Sequence, residues 1–219
     1  MSRKKLVRFA QNEANPNVIQ AGKPIFDQIK GKWNEVQFGN LHPIVVELAC
    51  GRGEFTLGLG RAYSEKNFIG VDIKGSRIWK GSSTASKEGL QHIAFLRTQI
   101  QQLDSFFAGG EISELWITFP DPFPRDGDEK RRLTSTKFLE MYKNLLKPGG
   151  NIHFKTDNTG LFDFTLELVQ SRQDTVIHAV TSDFYQSDYR EDHLGIQTRY
   201  EKIFSEKGEK IKYLKFSFR

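Results

Sequence analysis

The chain has 219 residues, 37% of them hydrophobic and 12% aromatic, which is enough to bury the core of one large domain or two small ones. No apolar stretch approaches the roughly 18 residues of a membrane-spanning helix, and the first residues lack the apolar centre of a secretory signal, so a membrane partner is not expected. The single Cys50 excludes an internal disulfide and a multi-cysteine zinc site, and it favours a cytoplasmic protein with no metal.

The net charge of +5 is concentrated at the two ends of the chain. Residues 1–32 carry seven Lys or Arg and two acids, and residues 199–219 carry seven and three. Such ends suit an acidic partner such as RNA, although basic ends can also serve solubility alone. We predict a basic N-terminal arm over residues 1–41 and one domain over residues 42–219.

Strand and helix patterns alternate regularly from residue 42 onward. In chain order, short β-branched or apolar runs predict strands at 42–49, 67–73, 92–98, 114–119, 151–156, 175–181 and 212–218. Amphipathic patterns predict helices at 54–63, 76–87, 103–107, 134–146, 161–170 and 200–206. This alternation indicates an α/β fold with a doubly wound, mostly parallel, Rossmann-like sheet and helices on both faces.

The first predicted strand ends in a turn suited to ligand binding. It reads Glu47-Leu48-Ala49-Cys50-Gly51-Arg52-Gly53, and a helix follows. Gly51 and Gly53 allow backbone to approach a ligand at a helix N-terminus. The dinucleotide fingerprint is incomplete, because Thr56 stands where its third glycine belongs. Asp72 closes the next predicted strand, where a carboxylate can accept the hydroxyls of a ribose.

Three alternating prolines follow the predicted strand at 114–119. Pro120, Pro122 and Pro124 lack an amide donor and restrict the residues before them, so we expect a stiff, extended segment. The strand must end there, which holds Asp121 just beyond its carboxyl end, the edge where α/β sheets bind ligands.

The order of these motifs resembles class I S-adenosylmethionine-dependent methyltransferases. The pattern comprises Glu47 and its glycine turn, Asp72 after the second strand, a polar residue, Gln99, after the third, and Leu-Lys-Pro-Gly-Gly at 146–150. That family usually has glycine where Ala49 stands, and often an acid where Gln99 stands. The resemblance implies S-adenosyl-L-methionine as cofactor, bound by Glu47, Gly51, Gly53, Asp72 and Gln99.

Further motifs closely resemble the tRNA (guanine-N7-)-methyltransferases. They are Pro-Asp-Pro at 120–122, Lys-Arg-Arg-Leu-Thr at 130–134, Lys-Thr-Asp-Asn at 155–158, Thr-Arg-Tyr-Glu at 198–201 and Gly-Lys-Trp-Asn at 31–34. The resemblance implies methyl transfer to N7 of a guanine in the variable loop of tRNA, without an obligatory protein partner. It implies Asp121 as the catalytic carboxylate. The substrate-binding residues would be Arg125, Lys130, Arg131, Arg132, Asp157, Thr198, Tyr200 and Glu201.

The chemistry of guanine sets what Asp121 must do. N7 carries a lone pair and no proton, so it can attack a sulfonium methyl directly, and alignment matters more than a base. We therefore expect Asp121 to position the guanine and to act as a base only secondarily. The basic triplet 130–132 follows Asp126, Asp128 and Glu129, so a solvated, acid-paired loop is the other interpretation.

Two other functions remain compatible with the sequence. The first is a methyltransferase of the same fold acting on another RNA or on a small molecule. The second is an RNA-binding module that keeps an inactive cofactor pocket, which the presence of Glu47, Asp72 and Asp121 disfavours. His153, Cys50, Trp79 and Trp116 are interpreted as packing residues, whereas Trp33 in the arm is compatible with either a core residue or a platform on which a base stacks.

Overall fold

The computed structural model describes residues 3–219, with every side chain in that range except those of Arg3, Lys4, Asp126 and His193. Met1 and Ser2 of the predicted arm lie outside the described residues. The strands are β1 Val18–Gln20, β2 Ile44–Leu48, β3 Asn67–Val71, β4 Ile93–Arg97, β5 Ile112–Thr118, β6 Leu146–Thr156, β7 Thr175–Thr181 and β8 Lys212–Phe218. The helices are α1 Arg3–Ala14, α2 Glu54–Ala62, α3 Gly75–Lys87, α4 Thr136–Leu145, α5 Thr159–Ser171 and α6 Arg199–Glu206.

All eight strands form one sheet in the order β1-β4-β3-β2-β5-β6-β8-β7. Every neighbouring pair is parallel except those of β8, which runs antiparallel to β6 and to β7. The order reverses between β2 and β5, because β3 and β4 lie on one side of β2 and β5 on the other. The predicted doubly wound, mostly parallel fold is confirmed, and this reversal marks where such sheets bind ligands.

The core lies on both faces of the sheet. Every residue of β2 and β3 is buried, as expected for central parallel strands covered by helices on both sides. The helices α4 and α5 cover one face, and α2 and α3 cover the other. Within the described part of the chain, no helix is both long and apolar enough to cross a membrane.

Part of the predicted arm packs into this sheet. The strand β1 pairs with β4 at the sheet edge, with Val18 opposite Phe95. Trp33 is fully buried, stacks on Phe107 at 5.2 Å and donates from Nε1 to the Phe106 carbonyl at 2.8 Å. Residues 18–38 therefore contribute to the core, and the boundary at residue 42 stays a prediction.

Two predicted element boundaries were wrong. The helix predicted at 103–107 is a short 3₁₀ turn over Ile100–Ser105. The Lys-Pro-Gly-Gly segment does not separate α4 from a strand at residue 151, because β6 begins at Leu146 and bulges until Asn151 pairs with Glu114. Gly150 permits the bulge, since a Cβ there would lie 3.0 Å from the carbonyls of Lys147 and Ser113.

Three of the four residues predicted to pack in the core are buried, and Trp79 is the exception. Trp116 and His153 are buried and stacked at 4.0 Å, and burial lowers the pKa of His153 to about 3, so it is a neutral core residue. Cys50 is also buried. Trp79 is not a core residue: it is only half-buried on α3, where its Nε1 donates to Gln11 of α1 at 2.5 Å.

Candidate active site

A cavity of about 400 Å³ lies at the reversal point, beyond the carboxyl ends of β2, β3, β5 and β6. It brings together seven of the residues predicted for the cofactor and the substrate, which come from distant parts of the sequence. They are Glu47, Gly51, Asp72, Asp121, Asp157, Thr198 and Tyr200. The sheet edge predicted from the sequence is therefore where these residues meet.

Glu47, the last residue but one of β2, lies in the wall of the cavity with 3% of its surface exposed. Its carboxylate accepts from the amide and hydroxyl of Thr56 and, at 2.9 Å, from the Thr118 hydroxyl. Burial raises the pKa of Glu47 to about 7, despite the lowering effect of these hydrogen bonds. A cation bound in the cavity would stabilise the ionised carboxylate, so this wall suits a positively charged ligand.

The turn from β2 to α2 exposes backbone to the cavity. Ala49, Gly51 and Gly53 all have a positive φ, at 55°, 58° and 71°. Gly53 must lack a side chain, because a Cβ would lie 2.5 Å from the Phe95 ring, whereas a Cβ on Gly51 would meet nothing nearer than 3.9 Å. Gly53 therefore shapes the turn from behind, and Gly51 faces the cavity.

Asp72 is tied to the same turn from the end of β3. One carboxylate oxygen accepts from the Gly51 amide at 3.0 Å, and the other from the Lys74 amide at 2.7 Å. Each oxygen keeps a further lone pair that can accept from a ligand hydroxyl. A buried Glu47, an open glycine and a fixed Asp72 together fit a cationic ligand that carries hydroxyl groups.

The Pro-Asp-Pro segment turns sharply instead of running extended. Phe119 and Phe123 have φ values of 51° and 42°, so the predicted extended conformation is wrong at these two positions. Proline disfavours the right-handed helical region for the residue before it, and here the chain adopts the left-handed region instead. The Phe119 amide donates to the Lys155 carbonyl at 2.9 Å, and the turn brings the exposed Asp121 to the cavity wall.

Arg132 holds this turn from beneath. Its Nη2 donates to the Phe123 carbonyl at 3.1 Å and its Nε to the Pro122 carbonyl at 3.2 Å, while its guanidinium lies 4.3 Å from the Phe164 ring centre. The side chain is only 8% exposed. Its guanidinium therefore binds the loop, whereas the sequence led us to expect that it binds a phosphate.

Behind the cavity wall lies a buried ion pair that the sequence did not reveal. Lys155 of β6 and Glu201 of α6 are both 0% exposed, with Nζ 2.6 Å from Oε1. Among the described residues the ammonium finds no hydrogen-bond acceptor in good geometry, and it faces the rings of Phe55, Phe119 and Phe184 at 5.1 to 5.9 Å. Burial lowers the pKa of Lys155, and Glu201 opposes that shift.

Thr198 and Glu201 cap the N-terminus of α6. The Glu201 amide donates to the Thr198 hydroxyl at 3.1 Å, and the Thr198 amide donates to the Glu201 carboxylate at 3.3 Å. The Tyr185 hydroxyl also donates to Glu201 at 2.8 Å. Glu201, predicted as a substrate contact, therefore supports the wall, while Thr198 and the half-exposed Tyr200 face the cavity. Asp157 stands nearby, and partial burial raises its pKa.

The other predicted residues lie away from the cavity wall. Gln99 is exposed directly after β4, and Arg125 is exposed before the 3₁₀ turn over Asp126–Arg131. Arg131 pairs with Asp128 at 3.0 Å, and Lys130 beside it is exposed. Lys74 and Arg77 do line the cavity, although the sequence had given them no role.

Comparison with known proteins agrees with this geometry. A family model described as "Putative methyltransferase" matches residues 41–214. The tRNA (guanine-N(7)-)-methyltransferase of Cytophaga hutchinsonii is 47% identical, covering 100% of this chain and 99% of its own length. The enzyme of the same name from Bacteroides thetaiotaomicron is 46% identical over 99% of this chain and 86% of its own length.

Among solved structures, the aminoglycoside resistance methyltransferase NpmB1 shares the fold. It superposes with a TM-score of 0.59 at 20% identity and covers 88% of this chain and 95% of its own. The resemblance expected from the motifs is thus confirmed across the whole length of the sequence, and the chain belongs to the tRNA (guanine-N(7)-)-methyltransferase family.

Proposed function

We propose that the protein transfers a methyl group from S-adenosyl-L-methionine to N7 of a guanine in the variable loop of tRNA. The observation that carries this proposal is the meeting of Asp121 with Glu47, Asp72 and the glycine turn in one cavity. Full-length identity of 47% to a tRNA (guanine-N(7)-)-methyltransferase supports the same reaction.

The cofactor would lie on the β2 side of the cavity. Glu47 would face its positive charge, the backbone around Gly51 would contact it closely, and Asp72 would accept from its ribose hydroxyls. When bound, the cofactor supplies an electrophilic methyl group on a sulfonium. The ring of Phe119, which lies 6.4 Å from that of Phe204 on α6, would shield one side of the reacting centre from water.

The guanine would lie on the β5 and β6 side, between Asp121 and Asp157. Both carboxylates can accept hydrogen bonds from the N1–H and N2 amino groups of guanine. Those bonds aim N7 at the methyl group and offset the positive charge that develops on the purine as N7 attacks. No proton leaves N7, so Asp121 acts by positioning and electrostatics.

A methylation assay tests the reaction. The protein is incubated with methyl-labelled S-adenosyl-L-methionine and bulk tRNA, and the product is then treated by chain scission specific for N7-methylguanosine. We expect label in tRNA and scission at the labelled sites. Label without scission would contradict methylation at N7, and label only in another RNA would favour a different substrate.

A substitution tests the role of Asp121. Asp121→Asn keeps the size of the side chain but removes its charge, so we expect turnover to fall on the order of a hundredfold. Asp163→Asn, on the exposed side of α5, is the matched control and should leave turnover unchanged. Near-full turnover and unchanged tRNA affinity in Asp121→Asn would contradict the positioning role.

A further inference from the structure

The first half of α1 and the outer side of α3 form a basic surface, here called the α1–α3 face. On α3, Gly75, Ile78, Gly81, Ser82 and Ala85 are buried against the sheet. The basic residues of this segment, Lys74 at the N-cap of α3 and Arg77, Lys80 and Lys87 within it, are exposed or half-buried. The face consists of Lys5, Arg8, Lys74, Arg77, Lys80 and Lys87.

The two helices are held in register by specific contacts. Asn12 of α1 donates from Nδ2 to the Gly75 carbonyl at 2.8 Å. Phe9 packs over Gly75 so closely that a Cβ there would lie 2.9 Å from the ring. Residues 9–12 of α1 therefore lie beside the beginning of α3, which is the end of α3 nearest the cavity.

Aromatic rings support two of these cations without neutralising them. The Arg8 guanidinium lies 4.6 Å from the ring centre of Trp79, and the Lys5 ammonium 5.7 Å from that of Phe9. Cation–π contact fixes a charged group while leaving its charge available. This also accounts for Trp79, the half-exposed tryptophan that does not serve the core.

No residue of the α1–α3 face is paired with an acid. Among the described side chains, none of its six basic groups lies within 4.0 Å of a carboxylate oxygen. The sequence explains this locally, because no acidic residue occurs between Asp72 and Glu88. By contrast, Arg131 and Arg132 of the basic triplet are both paired.

The face is continuous with the cavity. Lys74 and Arg77 line the cavity and also begin the row of basic residues on α3. From Lys74 to Lys87 the row extends about 20 Å along the helix, at about 1.5 Å per residue. An anionic polymer entering the cavity at Lys74 could follow α3 for its full length.

We propose that the α1–α3 face is the main tRNA-backbone surface of this protein, and that it guides the sugar–phosphate chain to the cavity. The inference rests on the proposed function, since it names how the same substrate is held. Unpaired cations carry more affinity for phosphate than paired ones, because a paired cation must first give up its acid. The α1–α3 face should therefore contribute more to tRNA affinity than the triplet at 130–132, where Arg131 and Arg132 are paired with acids.

The test replaces two exposed lysines remote from the cavity. Lys80→Gln/Lys87→Gln is compared with Lys137→Gln/Lys147→Gln, which removes two exposed lysines from α4 and from the start of β6. Neither control lysine pairs with a described acid. Binding of labelled tRNA is measured by fluorescence anisotropy over a series of salt concentrations. Methyl transfer is measured in parallel to separate KM for tRNA from kcat.

We expect the Lys80/Lys87 variant to lose about eightfold in tRNA affinity per lysine at 0.1 M salt, the factor given by a salt slope of about 0.9 per contact. The slope itself should become shallower by about 2, KM for tRNA should rise, and kcat should stay unchanged. The control variant should match the wild type in every measurement.

Two results would overturn the proposal in distinguishable ways. If the wild type methylates tRNA but the Lys80/Lys87 variant matches the control in affinity and slope, the α1–α3 face is not the tRNA surface while the proposed function stands. If the wild type neither binds nor methylates tRNA, the proposed function fails, and the face loses its ligand with it.

Discussion

Breaking the buried pair of Lys155 and Glu201 should cost far more stability than breaking an exposed ion pair of the protein. Lys155→Met removes the ammonium and leaves the Glu201 carboxylate fully buried, with the Tyr185 hydroxyl and the Thr198 amide as its donors among the described residues. Removing one partner of a buried pair costs about 3–5 kcal/mol, because the remaining charge has no compensation. Glu201→Gln should cost a similar amount by leaving the ammonium among aromatic rings.

The double variant Lys155→Met/Glu201→Gln separates the pair from its surroundings. With both charges gone, no buried charge is left unpaired, so the double variant should lose at least about 2 kcal/mol less than the sum of the single variants. The free energy of unfolding is measured by urea titration with a common slope. Lys210→Met is the matched control, since its pair with Asp183 is 68% exposed on the lysine side and should contribute less than about 1 kcal/mol.

Two results would refute this reasoning. If Lys155→Met were no more costly than Lys210→Met, the ammonium would not be buried as a charge. If the single variants added without coupling, Lys155 and Glu201 would stabilise the fold independently rather than as a pair.

Three further predictions follow from the cavity wall. Burial raises the pKa of Glu47 from 4.5 to about 7, so between these pH values the folded protein retains a proton that the unfolded chain releases. The free energy of unfolding without ligand should therefore fall by about 3 kcal/mol as the pH rises through that window. Glu47→Gln should abolish the difference between urea titrations at pH 5 and pH 8, and it should weaken cofactor binding measured by calorimetry. Ala49→Gly should raise the free energy of unfolding by about 0.5–1 kcal/mol, since Ala49 has a φ of 55° that glycine adopts more easily. Gly51→Ala should lower the free energy of unfolding, because Gly51 has a φ of 58°. If Ala49→Gly destabilised the protein, the left-handed conformation of this turn would be contradicted. Arg132→Gln should lower the free energy of unfolding by about 1.5–3 kcal/mol, because it leaves the carbonyls of Pro122 and Phe123 without a charged donor. It should leave the salt dependence of tRNA binding unchanged. A shallower salt dependence would mean that Arg132 does contact a tRNA phosphate.

Much of the fold could be predicted because its signals are local. Each parallel strand of the central sheet is a short apolar run bounded by glycine, proline or a helical pattern, so β2 to β6 could be recognised without any partner. Edge strand β1 could not, since its three residues show no periodicity. It exists because Val18 and Ile19 pair with β4, which is a contact across more than 70 residues.

The acidic residues of the site could be predicted from the sequence, but the buried residues that hold its wall in place could not. Glu47 lies near the end of β2, Asp72 and Asp121 follow β3 and β5, and the carboxyl ends of parallel strands share one edge, so their meeting followed from topology. Lys155 was missed because its partner Glu201 is remote in sequence, and only the folded chain buries the two together. Phe119 was misjudged because proline forbids one helical region to its predecessor without choosing among the others.

At the cavity, the buried charged residues are acidic and the basic residues lie nearer the protein surface. Of the acids that line the cavity, Glu47 and Asp72 are buried in its wall, which makes the deepest part of the cavity acidic. The four basic residues that line it, Arg52, Lys74, Arg77 and Arg199, are exposed or half-buried, and Lys74 and Arg77 begin the α1–α3 face. An acidic interior attracts a small cation and repels phosphates, whereas a basic rim attracts a polyanion and holds its backbone outside. The same arrangement can therefore bind a sulfonium cofactor deeply and admit only a base from the RNA, which is the geometry that methyl transfer to a tRNA guanine requires.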